Sequence, residues 1–231
     1  MKMMNNSRIV DRPERPPVRG AEPHVALSLV LDVSSSMDGV PIDMLNKAVN
    51  KMIEQMKEDE RLSEIVDLGI FIFGNHEKEN IIYQGFRPIA SCEPIDIKAN
   101  DTNTYVVNTL ERAVEFSRKR VLAYNNLSGA YKPWIILMTD GEFHDGVAEL
   151  KAIGNKIKER EAAGKLHFFG LGVEGYDRLQ LEHMTNNSDR IINIKAANFE
   201  EFFSWVGHSM AEISWKGVDE PVVLKPIRFS M

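Results

Sequence analysis

The chain has 231 residues, of which 43% are hydrophobic and 27% charged, the balance of an ordinary globular protein. Its formal net charge of −6 argues against nucleic acid as the main partner, and a single cysteine, Cys92, excludes an internal disulfide framework. No stretch reaches the roughly 18 consecutive apolar residues needed to cross a bilayer, so no membrane association is expected.

The N-terminal residues 1–22 are polar, rich in Arg and Pro, and without hydrophobic periodicity. We expect a flexible arm there and not a signal peptide, because the stretch contains no apolar run. A cytoplasmic location is therefore expected. Residues 23–227 are expected to form a single domain.

Beyond the arm, apolar runs typical of buried strands alternate with segments in which apolar residues recur at helical spacing. The predicted strands cover residues 24–31, 68–73, 80–86, 134–139, 166–173, 190–194 and 221–224. The predicted helices cover residues 41–57, 106–117, 147–164, 179–184 and 200–213.

The alternation of strands and helices predicts an α/β fold with a doubly wound, mostly parallel sheet and helices on both faces. The strand over 80–86 is the exception. Only a short polar turn over 74–79 separates it from the preceding strand, so it is expected to be antiparallel and to lie at an edge.

Three oxygen-bearing side chains follow the first predicted strand at alternating positions, namely Asp32, Ser34 and Ser36. Alternation on a strand-to-helix turn lets such side chains converge on one point. Carboxylate and hydroxyl oxygens suit Mg²⁺, Mn²⁺ or Ca²⁺ and do not suit zinc, whose sites favour His and Cys. A helix cap is the alternative, but a cap needs only one such residue. The motif therefore predicts a divalent-metal site.

Two further segments offer oxygen ligands. The predicted strand over 134–139 ends in Asp140, and Thr102 and Thr104 precede the helix over 106–117. Each pattern alone is also explained by ordinary structure, since Asp-Gly pairs form turns and Thr caps helices. In parallel sheets, however, ligands bind at the carboxyl ends of the strands, and this edge is where Asp140 should lie.

Taken in order, Asp-x-Ser-x-Ser, a distant Thr and a distant Asp resemble the metal-ion-dependent adhesion site of von Willebrand factor A domains. The matching ligands are Asp32, Ser34, Ser36, a Thr and Asp140. The following helix favours Thr104, whereas the Thr-x-Thr form of integrin-type domains favours Thr102. The resemblance extends over residues 24–226.

Within that family, the stretches 31–42, 132–142 and 202–206 are most similar to bacterial TerY-type proteins of tellurium-resistance and stress operons. The chain departs from the family pattern at Ser35, where Gly is usual, and at Phe143-His144, where Pro-Thr is frequent.

The resemblance implies that Ser34, Ser36 and the Thr bind the ion directly, while Asp32 and Asp140 act largely through water and hydrogen bonds. A remaining coordination position would accept an Asp or Glu carboxylate from a protein partner, without catalysis. TerY-type likeness further implies kinase- or phosphatase-like partners in a stress-response or signalling assembly. The residues expected to tune the choice of partner line the rim of the site, namely Asp38, Glu142, His144 and Asp145.

Two other functions are compatible with these residues. A Mg²⁺-dependent phosphohydrolase could use Asp32, but that chemistry wants a second acid where Ser34 stands, together with a Lys for the phosphate. The metal motif could instead be vestigial, leaving the domain as a scaffold. A nucleotide-binding module is disfavoured because no glycine-rich phosphate loop follows a strand.

Overall fold

The computed structural model describes residues 14–15, 22–74, 82–99, 102–218, 220, 227 and 229. The predicted strand over 221–224 and most of the predicted arm lie outside this described part. None of the helices within it is long and apolar enough to cross a membrane.

Within the described residues, six strands form one sheet in the order β3-β2-β1-β4-β5-β6. The strands are β1 (Val25–Asp32), β2 (Val66–Phe73), β3 (Ile82–Pro88), β4 (Trp134–Thr139), β5 (His167–Val173) and β6 (Ile191–Ile194). Neighbouring strands are parallel throughout, except that β3 pairs antiparallel with β2 at the edge. The predicted sheet with its antiparallel edge strand is confirmed.

Helices cover both faces of this sheet. They are α1 (Val40–Glu58), α2 (Glu60–Ile65), α3 (Val107–Asn125), α4 (Val147–Ala162), α5 (Arg178–Glu182) and α6 (Phe199–Ser214). The first, second and sixth helices pack into one hydrophobic cluster, and the other three pack into a second cluster across the sheet. The doubly wound architecture is therefore confirmed.

The central strand β1 shows why these strands read as continuous apolar runs. Leu27, Leu29 and Leu31 belong to one cluster, whereas Ala26 and Val30 belong to the other. Both faces of the strand are buried, so alternation between polar and apolar residues is lost.

Helix α2 was not predicted from the sequence. It is six residues long and buries only Leu62 and Ile65, too few for a helical period to be visible. Its start is marked by Asp59, whose carboxylate accepts a hydrogen bond from the Leu62 N–H at 2.9 Å. At the end of α4, the predicted glycine stop is confirmed, since Gly164 has a φ of 65°.

Candidate metal centre

The candidate site lies where the strand order changes direction. From β1 the chain continues through α1 to β2 on one side, whereas β4 pairs with the other side of β1. Leu31 is in register with Met138, so Asp32 and Asp140 emerge at the same edge. This is the switch-point crevice at which open α/β sheets bind ligands.

Asp32 is fully buried and both of its oxygens are occupied by hydrogen bonds. Its Oδ1 accepts from the Ser34 backbone N–H at 2.9 Å. Its Oδ2 accepts from the Thr139 hydroxyl at 2.7 Å. Thr139 was missed in the sequence analysis. The available signal was a polar residue ending an apolar strand, directly before Asp140.

A chain of hydrogen bonds joins three more of the predicted ligands. The Ser34 and Ser36 Oγ atoms are 3.0 Å apart, and Ser36 Oγ donates to Asp140 Oδ1 at 2.8 Å. Since Ser36 uses its only hydrogen toward Asp140, the hydrogen between the serines comes from Ser34. Both hydroxyl oxygens therefore keep lone pairs that a cation could take. The structure brings these three residues and Asp32 together.

The two candidate threonines are placed differently. Thr102 is exposed, whereas Thr104 is buried and its backbone N–H donates to His144 Nδ1 at 3.0 Å. The backbone N–H of His144 donates in return to the Thr104 carbonyl at 3.0 Å. Within the described residues, neither threonine hydroxyl bonds to the other four candidate ligands. The choice between them stays a prediction.

Two residues expected at the rim have structural contacts of their own. His144 pairs with Thr104, as above, and the Asp145 carboxylate accepts from the N–H groups of Val106 and Val107 at 2.7 and 3.2 Å. Asp145 thus satisfies the first free donors of α3. These bonds tie the loop after Asp140 to the segment that carries Thr104.

Burial raises the pKa of Asp32 to about 6, although hydrogen bonds from Ser34 and Thr139 oppose the shift. Burial also raises the pKa of Asp140. In the described part of the chain, neither carboxylate has a lysine, arginine or histidine in ion-pair contact. A buried carboxylate without a counter-charge is costly, and a bound divalent cation would compensate it.

The donor set fits a hard cation, since all the gathered atoms are oxygens. The described residues contain no group of three or more His, Cys, Asp or Glu side chains suited to a metal. A metal at this edge would therefore depend on the serine hydroxyls as much as on the two carboxylates. This composition disfavours zinc, which prefers nitrogen and sulfur.

The raised pKa of Asp32 predicts a pH-dependent stability in EDTA. The folded state holds the proton more tightly than the unfolded state, so stability falls as pH rises between the ordinary Asp value and about 6. Between about pH 5 and about pH 8, ionisation of Asp32 should lower the free energy of unfolding of the wild-type chain by about 1.4 kcal/mol more than that of Asp32→Asn. Urea unfolding of both chains at each pH measures the difference. Parallel pH profiles would contradict the prediction.

A family model for the von Willebrand factor type A domain matches residues 27–205. No curated protein sequence matches the chain. Several solved structures share its fold.

The pilus adhesin SpaC from Lactobacillus rhamnosus GG, in an open conformation, has a TM-score of 0.68 at 15% identity over 87% of this chain and 31% of that one. The vWF domain of the type V pili tip protein Mfa5 from Porphyromonas gingivalis has a TM-score of 0.60 at 12% identity over 86% of this chain and 98% of that one. Proximal thread matrix protein 1 from the mussel byssus has a TM-score of 0.54 at 15% identity, covering 84% of this chain and 49% of that one. The chain spans half or less of SpaC and of the mussel protein. Identities this low show the shared fold alone.

Proposed function

The chain belongs to the von Willebrand factor type A domain family, and we propose that it is a protein-interaction module that binds its partner through one divalent metal ion. The observation that carries the proposal is the continuous hydrogen-bonded chain from Ser34 through Ser36 to Asp140, beside the buried Asp32. These groups lie at the switch-point edge and, among the described residues, lack a counter-charge.

The bound ion, Mg²⁺ or Mn²⁺ (or Ca²⁺), would supply an open coordination position for an Asp or Glu carboxylate of the partner. The two carboxylates, Asp32 and Asp140, would orient the serine ligands. Asp32 fixes the start of the turn through the Ser34 N–H, and Asp140 accepts the Ser36 hydroxyl hydrogen, which leaves the lone pairs of the Ser36 oxygen for the ion. Thr104 is the preferred fifth ligand over Thr102, because its backbone is held against the loop that follows Asp140.

We further propose that this module is not an enzyme. Formation of an aspartyl-phosphate needs a carboxylate oxygen that can reach a substrate. Asp32 is fully buried, and both its oxygens already accept hydrogen bonds. These contacts favour a role in orienting ligands over a role as a nucleophile.

The proposed cellular role, the class of partner and the location rest on sequence likeness. The stretches 31–42 and 132–142 support a TerY-type role in a stress-response or phospho-signalling assembly, with kinase- or phosphatase-like partners. A cytoplasmic location is proposed with it.

The test is capture of partners from native lysate on the immobilised full chain, with Mg²⁺ and with EDTA. We expect specific proteins to be retained with Mg²⁺, lost in EDTA and lost with Asp140→Asn. Asp189→Asn is the matched control, because it makes the same substitution at an exposed carboxylate just before β6, at the opposite edge of the sheet. Retention that is equal in Mg²⁺, in EDTA and with Asp140→Asn would refute a metal-bridged interaction.

A further inference from the structure

The outer edge of β3 is in contact with a short piece of the N-terminal region, Glu14 and Arg15. The Arg15 backbone N–H donates to the Phe86 carbonyl at 2.8 Å. At Gly85 the approach is so close that a Cβ atom would lie 2.7 Å from the Glu14 nitrogen and 2.9 Å from its Cα. Only glycine permits this packing of backbone on backbone.

A buried arginine completes the contact. Arg120 of α3 is 2% exposed, and its Nε and Nη2 atoms donate to Asp67 Oδ2 at 2.8 and 2.6 Å. Its third nitrogen, Nη1, donates to the Arg15 carbonyl at 2.5 Å and lies 3.4 Å from Glu14 Oε1. Among the described residues, those two atoms are the only acceptors that Nη1 contacts.

These contacts have the character of a binding site. The edge strand provides a backbone acceptor at Phe86. Arg120 donates hydrogen bonds to the Arg15 carbonyl and to the Glu14 carboxylate. An uncovered edge strand is a template for pairing with another chain, and proteins commonly cover such edges. Without Glu14 and Arg15, the buried Arg120 would also lose acceptors, at a cost in free energy.

We propose that the Glu14-Arg15 segment is an intramolecular ligand of the β3 edge, and that it prevents this edge from pairing with the β3 edge of a second copy. The competitor of this segment for the β3 edge is a second copy of the chain. Two identical edges related by a two-fold axis pair antiparallel, and such an isologous contact closes on itself. The proposal involves no residue of the metal centre.

The first test asks whether the segment is docked in the wild-type full chain, with Gly85 left in place. The Arg15 N–H donates to the Phe86 carbonyl, so its hydrogen exchange should be at least about tenfold slower than that of the same amide in a free peptide.

The protection should be the same at every protein concentration at which light scattering shows a monomer. Exchange as fast as in the free peptide would overturn the docking. Protection that rises with protein concentration would show that the segment docks in trans and would overturn the intramolecular assignment.

The second test releases the segment with Gly85→Ala, whose methyl group occupies the space of the Glu14 backbone, or with Arg15→Pro, which lacks the N–H donor. Hydrogen exchange should show faster exchange at Arg15 in Gly85→Ala. Light scattering should show self-association of both variants at least about tenfold tighter than that of the wild-type chain. Gly207→Ala is the matched control, because its nearest contact would be 3.9 Å away. Released variants that associate no more tightly than the wild-type chain would overturn the protective role.

Discussion

Asp32→Ala should weaken Mg²⁺ or Mn²⁺ binding by about 100-fold, the upper range for loss of a residue that orients metal ligands. The substitution removes a negative charge from a fully buried position. It also deletes the acceptors of the Ser34 N–H and the Thr139 hydroxyl, so the turn that presents Ser34 loses its anchor. Isothermal titration calorimetry of the metal into EDTA-stripped protein measures the change, with one ion expected per wild-type chain.

Two neighbours in the same turn serve as matched controls. Asp38→Ala removes the same charge from an exposed side chain, and Ser35→Ala removes a hydroxyl that lies outside the hydrogen-bonded chain. Both should bind metal like the wild-type chain, whereas Ser34→Ala should bind it more weakly. Equal affinity in Asp32→Ala and wild type, or no heat with either, would refute the metal centre.

Asp67→Ala should lower the free energy of unfolding by about 3–5 kcal/mol, the usual effect of removing one partner of a buried ion pair. Asp67 is fully buried in β2, and its Oδ2 accepts from Arg120 and from the Tyr124 hydroxyl at 2.7 Å. Alanine leaves the Arg120 guanidinium charged and without its main acceptor inside the protein. Urea unfolding, monitored by circular dichroism, measures the loss.

Two comparisons separate the buried charge from general effects of substitution. Glu115→Ala breaks a pair with Arg118 that is about 40% exposed on each side, and it should leave the urea midpoint nearly unchanged because such pairs are solvated. Asp67→Leu/Arg120→Met removes both charges and should recover part of the stability lost in Asp67→Ala. A double variant less stable than Asp67→Ala would contradict this account.

The sequence was sufficient for the features that depend on local periodicity. Continuous apolar runs mark strands buried on both faces, and helical spacing of apolar residues marks the long helices, because burial of a regular element repeats with its own period. The same logic located Asp32 and Asp140, since each directly follows such a run. The sheet with its antiparallel edge strand, predicted from this alternation, is the one observed.

Only the tertiary structure decided which polar groups meet. The bond from Thr139 to Asp32 joins residues 107 positions apart, and the pair of Asp67 and Arg120 joins residues 53 apart. The contact of Arg15 with the β3 edge lies in a stretch that has no periodicity at all. Such contacts depend on the packing of distant elements, which places the polar side chains of different strands and helices side by side. No local pattern encodes that placement, so the ligand candidates could be identified from the sequence, but the hydrogen bonds that hold them could not.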